Sequence, residues 1–598
     1  MKRSTLVFLA LILLGALFLR TYRLSEVGLR VGNESKNYGG AAKIATHLRW
    51  WLTQEGSSLP GKERRETLKA SIERVAGTPG SWHPSKPFFG LLTVLAFVLF
   101  GPSPYHLLMI SAVLGAATVG LAYWLARRLG RGEVFALMGA LAMSVSGFHL
   151  IWSRSGFAHS TATLLLTLGL ACYAQAIWGG SKDSGIWLLI SGLVLGAGVA
   201  SHPVVAPYIG VCFLTEIYRI AQGSGIRRGL RNLVLLGAGV GVILVSMELL
   251  TRMADRAVLP HFSELYAKFQ PYSGGLLADK ETAIERAGLV VSLRWLLSGN
   301  FLMPFLYGEG VVMSFLVATG LTMTIVRLWR ERKAQDFFLF VGFLLPLAFF
   351  LAAVVKPFAR NLAPLTPFIA LLAGISLASG WRRYRGIAWR FGFIAFVVGV
   401  QLFHVSYLFN IRSGYAAASD WLAQSGGGIV LVKPSVAGVL LYNNGVKNVF
   451  EVEKVPGDEQ LNAVHAVWMR PARICGLDKP VYASLVAISE RVPERYRTWL
   501  PAVNWDAPAA SFPNPEPFTR KKMELLHGIR QVAARLGLQG ILKKVDNLMR
   551  EERHNVAVNT IHLFRNMGPP CSSNPESSRP RTPVHEGPPG LGLKPDGR

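Results

Sequence analysis

At 598 residues, 51% hydrophobic and only 16% charged, the chain falls well short of the roughly 25% charge of soluble domains. A formal net charge of +28 would point a soluble protein towards nucleic acid. Here Lys and Arg gather in short loops between long apolar runs, which marks membrane topology and removes nucleic acid as a partner. Four cysteines, two in apolar runs (Cys172, Cys212) and two towards the C-terminus (Cys475, Cys571), match neither a disulfide framework nor a zinc spacing.

The first apolar run covers residues 6–19. Lys2 and Arg3 precede it as in a signal peptide, but no small-residue cleavage site follows and Arg20, Arg23 and Arg30 do. A retained first helix is therefore expected. Further spans are predicted at 105–126, 133–152, 159–178, 186–202, 203–218, 232–252, 310–327, 337–355, 361–380 and 390–409, about eleven in all with 4–20. The basic loops at 127–131, 227–231, 327–333 and 382–385 alternate with loops of other composition. They would face the cytoplasm. The segment 88–100 is apolar but, at 13 residues, shorter than the ~20 needed to span. Counting it as a span would put every later basic loop on the wrong side, so it is predicted to lie in the interface. The N-terminus is then cytoplasmic. The loops at 21–104 and 253–309 and everything after about residue 410 share the outer face. For a bacterial-type cell this is a multi-pass protein of the cytoplasmic (inner) membrane.

After residue 410 the composition turns globular. Helical and β-type segments alternate: 416–424 as helix, 428–433 as strand, 434–441 as helix, 448–452 as strand. This predicts a small extracytoplasmic α/β domain over 411–566. Apolar residues at helical spacing over 521–549 predict amphipathic helix, packed rather than lying on a membrane. The Pro-, Gly- and Ser-rich stretch 567–598 reads as a disordered tail.

Chemistry is sought where ionisable groups gather at one membrane face, because such groups are costly at that depth. Glu34 and Tyr38 follow the first span; His83 and Lys86 precede the interfacial segment; Arg154 and His159 flank a short turn; His202 marks another; Arg360 lies in a fourth. One carboxylate among cations and imidazoles suits a general base paired with charge stabilisation on a departing phosphate. Each residue also has a plainer reading: Glu34 as a solvated loop carboxylate, Lys86 as an interfacial anchor, Arg154 and Arg360 as snorkelling helix ends, and the histidines as helix-end groups.

Five segments carry a resemblance: RTYRLSEVGLRVGNESKNYGGAAKIA at 20–45, HPSKPFFGLLTVLAFVLFG at 83–101, LAYWLARRLGR at 121–131, WSRSGFAHSTATLLL at 152–166 and KPFARNLAPLTPFIALLAG at 356–374. In order, spacing and membrane side the chain resembles the GT-C membrane glycosyltransferases. Within them it is most similar to the protein O-mannosyltransferase and lipid A aminoarabinose transferase group (family 39-like). The resemblance covers residues 1–410 and implies a transmembrane catalytic domain using a polyprenyl-phosphate sugar donor at the bilayer. The acceptor, a glycan, lipid or protein, is left open. It also implies Glu34 as catalytic base, Lys86, Arg360, Arg154 and His202 as donor-phosphate ligands, and His159, Tyr38 and His83 as acceptor or metal residues. A divalent metal ion is an open expectation. The chain departs from the pattern in having Asn33-Glu34 where the family has an Asp-Glu pair, and His202 where many relatives have Lys. Two rivals are a transporter or flippase of lipid-linked sugar, and an inactive GT-C scaffold whose C-terminal domain binds a partner.

Overall fold

A computed structural model describes residues 3–30, 32–52, 66, 86–180, 183–253, 302–353, 359–384 and 386–424. Beyond these it describes 429–432, 439, 443, 449–451, 481–486, 507–514, 519–558 and 560–565. The expected helix at 434–441, most of the loop 253–309, the tail 567–598 and His83 lie outside the described residues.

In chain order the helices begin with α1 (Arg3–Thr21), α2 (Gly32–Leu52), α3 (Pro87–Phe100), α4 (Pro104–Arg128), α5 (Glu133–Val145) and α6 (Gly147–Trp152). They continue with α7 (His159–Trp178), α8 (Ser184–Ser201), α9 (Ala206–Ala221), α10 (Ile226–Met253), α11 (Leu302–Gly308) and α12 (Gly310–Glu331). Then come α13 (Ala334–Ala353), α14 (Thr366–Arg383), α15 (Ile387–Val405), α16 (Gly414–Gln424), α17 (Thr519–Arg535) and α18 (Gln539–Val558). Two compact units result. One gathers Met1–Leu24, Lys69–Phe100 and His106–Asn410; the other gathers Ser25–Leu68, Gly101–Tyr105 and Ile411–Arg598.

The first unit is a multi-pass helical membrane body. Among the described residues nine helices are long and apolar enough to cross a bilayer. Two of the expected spans fall outside that set. The stretch 133–152 is divided into α5 and α6 at Ser146. In α13 the apolar stretch counted is Ala334–Phe349. The apolar helix at 88–100 is short, as expected. α14 is the centre of the unit: every residue from Thr366 to Ala378 is buried, against α5 and α12. That burial needs close backbones. A Cβ on Gly374 would stand 2.8 Å from Gly139 Cα of α5. Gly374→Ala is therefore expected to lower stability by about 1–3 kcal/mol through overpacking, read as an earlier thermal unfolding midpoint in detergent. Leu6, Leu14, Phe18, Phe315 and Phe403 stay exposed, as lipid-facing residues do.

Basic residues at helix ends are not only topology signals. Arg131 pairs with Asp336, and Glu216 accepts from Tyr173 (2.7 Å), Arg219 (2.8 Å) and Asn232 (3.0 Å), tying α7, α9 and α10 together.

The second unit holds a five-stranded sheet of β1 (Ile429–Val432), β2 (Val449–Glu451), β3 (Val481–Val486), β4 (Ala510–Pro513) and β5 (Thr560–Arg565), in the order β2-β1-β3-β5-β4. β1 runs parallel to β2 (Val430 opposite Val449) and to β3 (Val430 opposite Tyr482). β5 runs antiparallel to β3 (Ser484 opposite Leu563) and to β4 (Ser511 opposite His562). Ile561 and Leu563 are buried while His562 between them is not, the period-2 alternation of a one-sided sheet. α17 and α18 form a hairpin whose seam includes the buried Leu526, Ala533, Val545 and Met549.

Candidate active site

Glu34 lies in the first turn of α2, where a carboxylate complements the helix N-terminus. It is not a solvated loop residue: its side chain is fully buried, and Oε2 accepts from the backbone N–H of Arg30 at 2.6 Å. This reach-back is related to a capping box and fixes how the chain enters the helix. Tyr38, one turn on, is buried as well.

The entering segment is pinned by residues distant in sequence. Leu29 N–H donates to Asn443 Oδ1 (2.6 Å), and Asn443 Nδ2 donates back to Leu29 O (2.9 Å). Ser413 N–H donates to Val27 O (2.8 Å), and Asn514 Nδ2 to Arg30 O (3.0 Å). Gly28 has φ +66°, and a Cβ there would stand 2.7 Å from Asn443 Oδ1 and Ala416 Cβ, so both conformation and space demand glycine.

In the membrane unit, the other expected residues draw together around the N-terminus of α7. His159 opens α7 and is buried; its ring centroid is 4.7 Å from that of His202, which ends α8. Trp152 and Phe157 flank His159, each at 5.6 Å, and Lys86 Nζ lies 5.9 Å above the Phe157 ring. The 3₁₀ segment Ala359–Leu365, which carries Arg360, packs against α6, α7 and the 3₁₀ turn Pro203–Val205. Trp152 Nε1 and Thr161 Oγ1 are buried beside or within the first turn of α7 and have no hydrogen-bond partner among the described residues.

Arg154 has a structural engagement as well. Its Nη1 donates to the carbonyls of Leu19 (3.1 Å), Arg20 (3.1 Å) and Tyr22 (2.8 Å), closing the C-terminus of α1. Nη2 has no hydrogen-bond partner among the described residues, and burial pushes the guanidinium down to about 10.

A group absent from the sequence expectations surrounds the break at Ser146. Arg20 donates to the carbonyls of Ser144 (3.3 Å) and Met143 (3.4 Å) at the end of α5, and its Nη2 meets His149 Nδ1 at 2.5 Å. Gln401 donates to Val145 O (3.1 Å). On the other side, the buried Glu309 accepts from Ser146 Oγ (2.7 Å), Gly147 N (3.2 Å) and Phe148 N (3.2 Å), at the start of α6. A cation thus meets the carbonyl end of one half-helix and a carboxylate meets the N–H end of the next. Arg20 at the end of one apolar run, Gln401 inside another and the Ser146-Gly147 pair inside a third were the available signals.

Comparison with known proteins adds the fold. Residues 82–250 match the family described as dolichyl-phosphate-mannose-protein mannosyltransferase. ArnT from Cupriavidus metallidurans bound to undecaprenyl phosphate superposes with a TM-score of 0.54 at 13% identity, over 87% of this chain and 97% of that one. The chain shares the fold of ArnT. ArnT in the apo state gives a TM-score of 0.53 at 14% identity, over 84% and 96%. The archaeal oligosaccharyltransferase AglB from Archaeoglobus fulgidus, 15% identical with a TM-score of 0.48 over 71% of this chain, is longer: this chain spans 58% of it. No curated protein sequence matches the chain.

Lys86, His159, His202 and the backbone of Arg360 share the α7 region. The side chain of Arg360 lies outside the described set. Glu34 and Tyr38 belong to the second compact unit. Among the described residues, no three His, Cys, Asp or Glu side chains converge as a metal site needs, so no step is derived through a metal.

Proposed function

We propose that this protein is a membrane glycosyltransferase that moves a sugar from a polyprenyl-phosphate donor to an acceptor at the outer face of the membrane. The observation that carries the reading is the assembly at the N-terminus of α7: Lys86, a histidine pair and the segment of Arg360, with buried Trp152 Nε1 and Thr161 Oγ1 still able to donate. A helix N-terminus with cations and unsatisfied donors is chemistry for a phosphate. The undecaprenyl phosphate bound by ArnT and the dolichyl-phosphate donor in the family description support a polyprenyl carrier.

The acceptor hydroxyl or amine attacks the anomeric carbon as the sugar–phosphate C–O bond breaks. The electron pair leaves on the phosphate oxygen, where Lys86 and Arg360, with His202 and Arg154 assisting, stabilise it. The acceptor proton passes to Glu34. His159 and Tyr38 contribute to the acceptor side, and 411–566 serves as the acceptor or partner domain. The alternation of basic loops sets the N-terminus in the cytoplasm.

The test is transfer or hydrolysis of labelled polyprenyl-phosphate monosaccharides by the purified protein in mixed micelles. One donor is expected to turn over. Lys86→Ala is expected to weaken its use by about tenfold to a hundredfold, the worth of one charge-assisted hydrogen bond. Failure to process any donor, or an unaltered donor dependence in Lys86→Ala and Arg360→Ala alike, would overturn the reading.

A further inference from the structure

The hairpin of α17 and α18 divides its charges unevenly. At its root, acids neutralise bases: Lys522 pairs with Glu552 (2.6 Å), Arg530 with Asp546 (2.7 Å), and Arg520 and Lys521 with Glu524 (3.1 and 2.7 Å). Residues 531–545, around the tip, contain no Asp or Glu. The tip instead exposes Arg535, Lys543 and Lys544 together with Leu536 (65% exposed), Leu538 (42%) and Ile541 (45%). The turn is fixed by Gly537 in the left-handed region at φ +67°, which holds the two helix ends in one geometry. The hairpin seam is already filled by Leu526, Ala533, Val545 and Met549, so the tip residues are surplus to packing.

We infer that this tip is a membrane-surface anchor: its apolar residues enter the headgroup region of an anionic bilayer and its three cations bind the lipid phosphates. Exposed apolar groups ringed by cations of one sign complement that surface, which offers anionic headgroups over an apolar interior. The occupant is at hand because the same chain crosses a bilayer, and Ile411 follows that membrane body directly, so docking is an intramolecular event at high effective concentration. A soluble protein partner would be expected to offer acidic side chains around an apolar pocket; nothing in the chain requires one. The anchor is independent of the proposed transfer reaction.

The experiment uses the full chain in lipid nanodiscs. Leu536→Cys, in a Cys475→Ser, Cys571→Ser background, carries an environment-sensitive fluorophore; Cys172 and Cys212 are buried. In phosphatidylcholine containing phosphatidylglycerol, the label is expected to shift to the blue and to be quenched by nitroxide-bearing lipids. A label at Gly528→Cys, near the root, is expected to stay water-like. Reversing Arg535, Lys543 and Lys544 to Glu should shift the equilibrium towards the solvated tip by at least roughly fivefold per cation lost, about a hundredfold or more in all. Because these side chains are exposed, the variant should keep its circular dichroism and elution volume. Leu538→Ser with Ile541→Ser should lose quenching without altering net charge. A water-like Leu536 label in every bilayer overturns the anchor. So does quenching that survives charge reversal, or protection that appears equally in lipid-free detergent, which would mark contact between copies.

Discussion

Replacing Glu34 by Gln is expected to cut sugar transfer by about 10²–10⁴-fold while leaving the thermal unfolding midpoint nearly unchanged. The substitution separates the cap seen at this side chain from the base role proposed for it. Oε2 of Glu34 accepts the Arg30 N–H at 2.6 Å, and a glutamine oxygen can accept the same bond. What glutamine cannot do is take a proton from an acceptor hydroxyl. Glu34→Ala removes both functions and is expected to cost about 1 kcal/mol of stability as well, the worth of a helix-end cap. The comparison is made by initial rates with saturating donor and by unfolding midpoints in one detergent. A Gln variant with full turnover would reduce Glu34 to a capping residue and favour the inactive-scaffold reading. A Gln variant that loses stability as much as Ala would show that the cap needs charge, and its rate would then say nothing about the base.

What could be read from the sequence follows the physics that is local along a chain. Long apolar runs bounded by Arg gave the spans, because hydrocarbon thickness fixes their length. The strand at 428–433 appears as Ile429–Val432 because an isolated β-branched run between turns has few alternatives. β5 was not anticipated: it pairs with β3, some eighty residues earlier, and such pairing leaves no local mark. The same limit applies to the site. Charge alternation placed Lys86, Arg154, His159, His202 and Arg360 at one membrane face, and four of those segments do meet around α7. Nothing near residue 34 foretold that Asn443 and Asn514 would clamp the backbone leading to it, since those contacts close over more than 400 positions of sequence. The division of 133–152 was hidden for another reason. Its partners, Arg20, Glu309 and Gln401, come from three other segments, and only their convergence makes a broken helix tolerable.

That convergence makes Glu309→Leu the substitution with the largest expected effect on stability. Glu309 takes three hydrogen bonds, two from backbone N–H groups that have no intrahelical partner at the start of α6. At this buried position no bulk water replaces them, and each abandoned group costs about 1–3 kcal/mol, so several kcal/mol are at stake. Glu309→Gln retains one oxygen. Ser146 Oγ and Phe148 N both bond to Oε1, so only the Gly147 contact at Oε2 must be lost, and the cost should be the lower end of that range. The order of unfolding midpoints is therefore expected to be wild type, then Gln, then Leu with a wide gap. Arg20→Leu should resemble Glu309→Leu, because it strips the facing carbonyls of Met143 and Ser144 and leaves His149 without its partner. If the break were merely a packing irregularity, an apolar side chain at 309 would fill the space and stabilise the chain relative to Gln. Equal midpoints for Gln and Leu would refute the claim that hydrogen bonds from residue 309 hold the start of α6. The consequence reaches the candidate site because α6 ends at Trp152, beside His159, and Arg154 follows it by two residues. A Leu variant rescued for stability by lipid or low temperature should still show weakened donor use, since the segment that presents these groups has lost its fixed start.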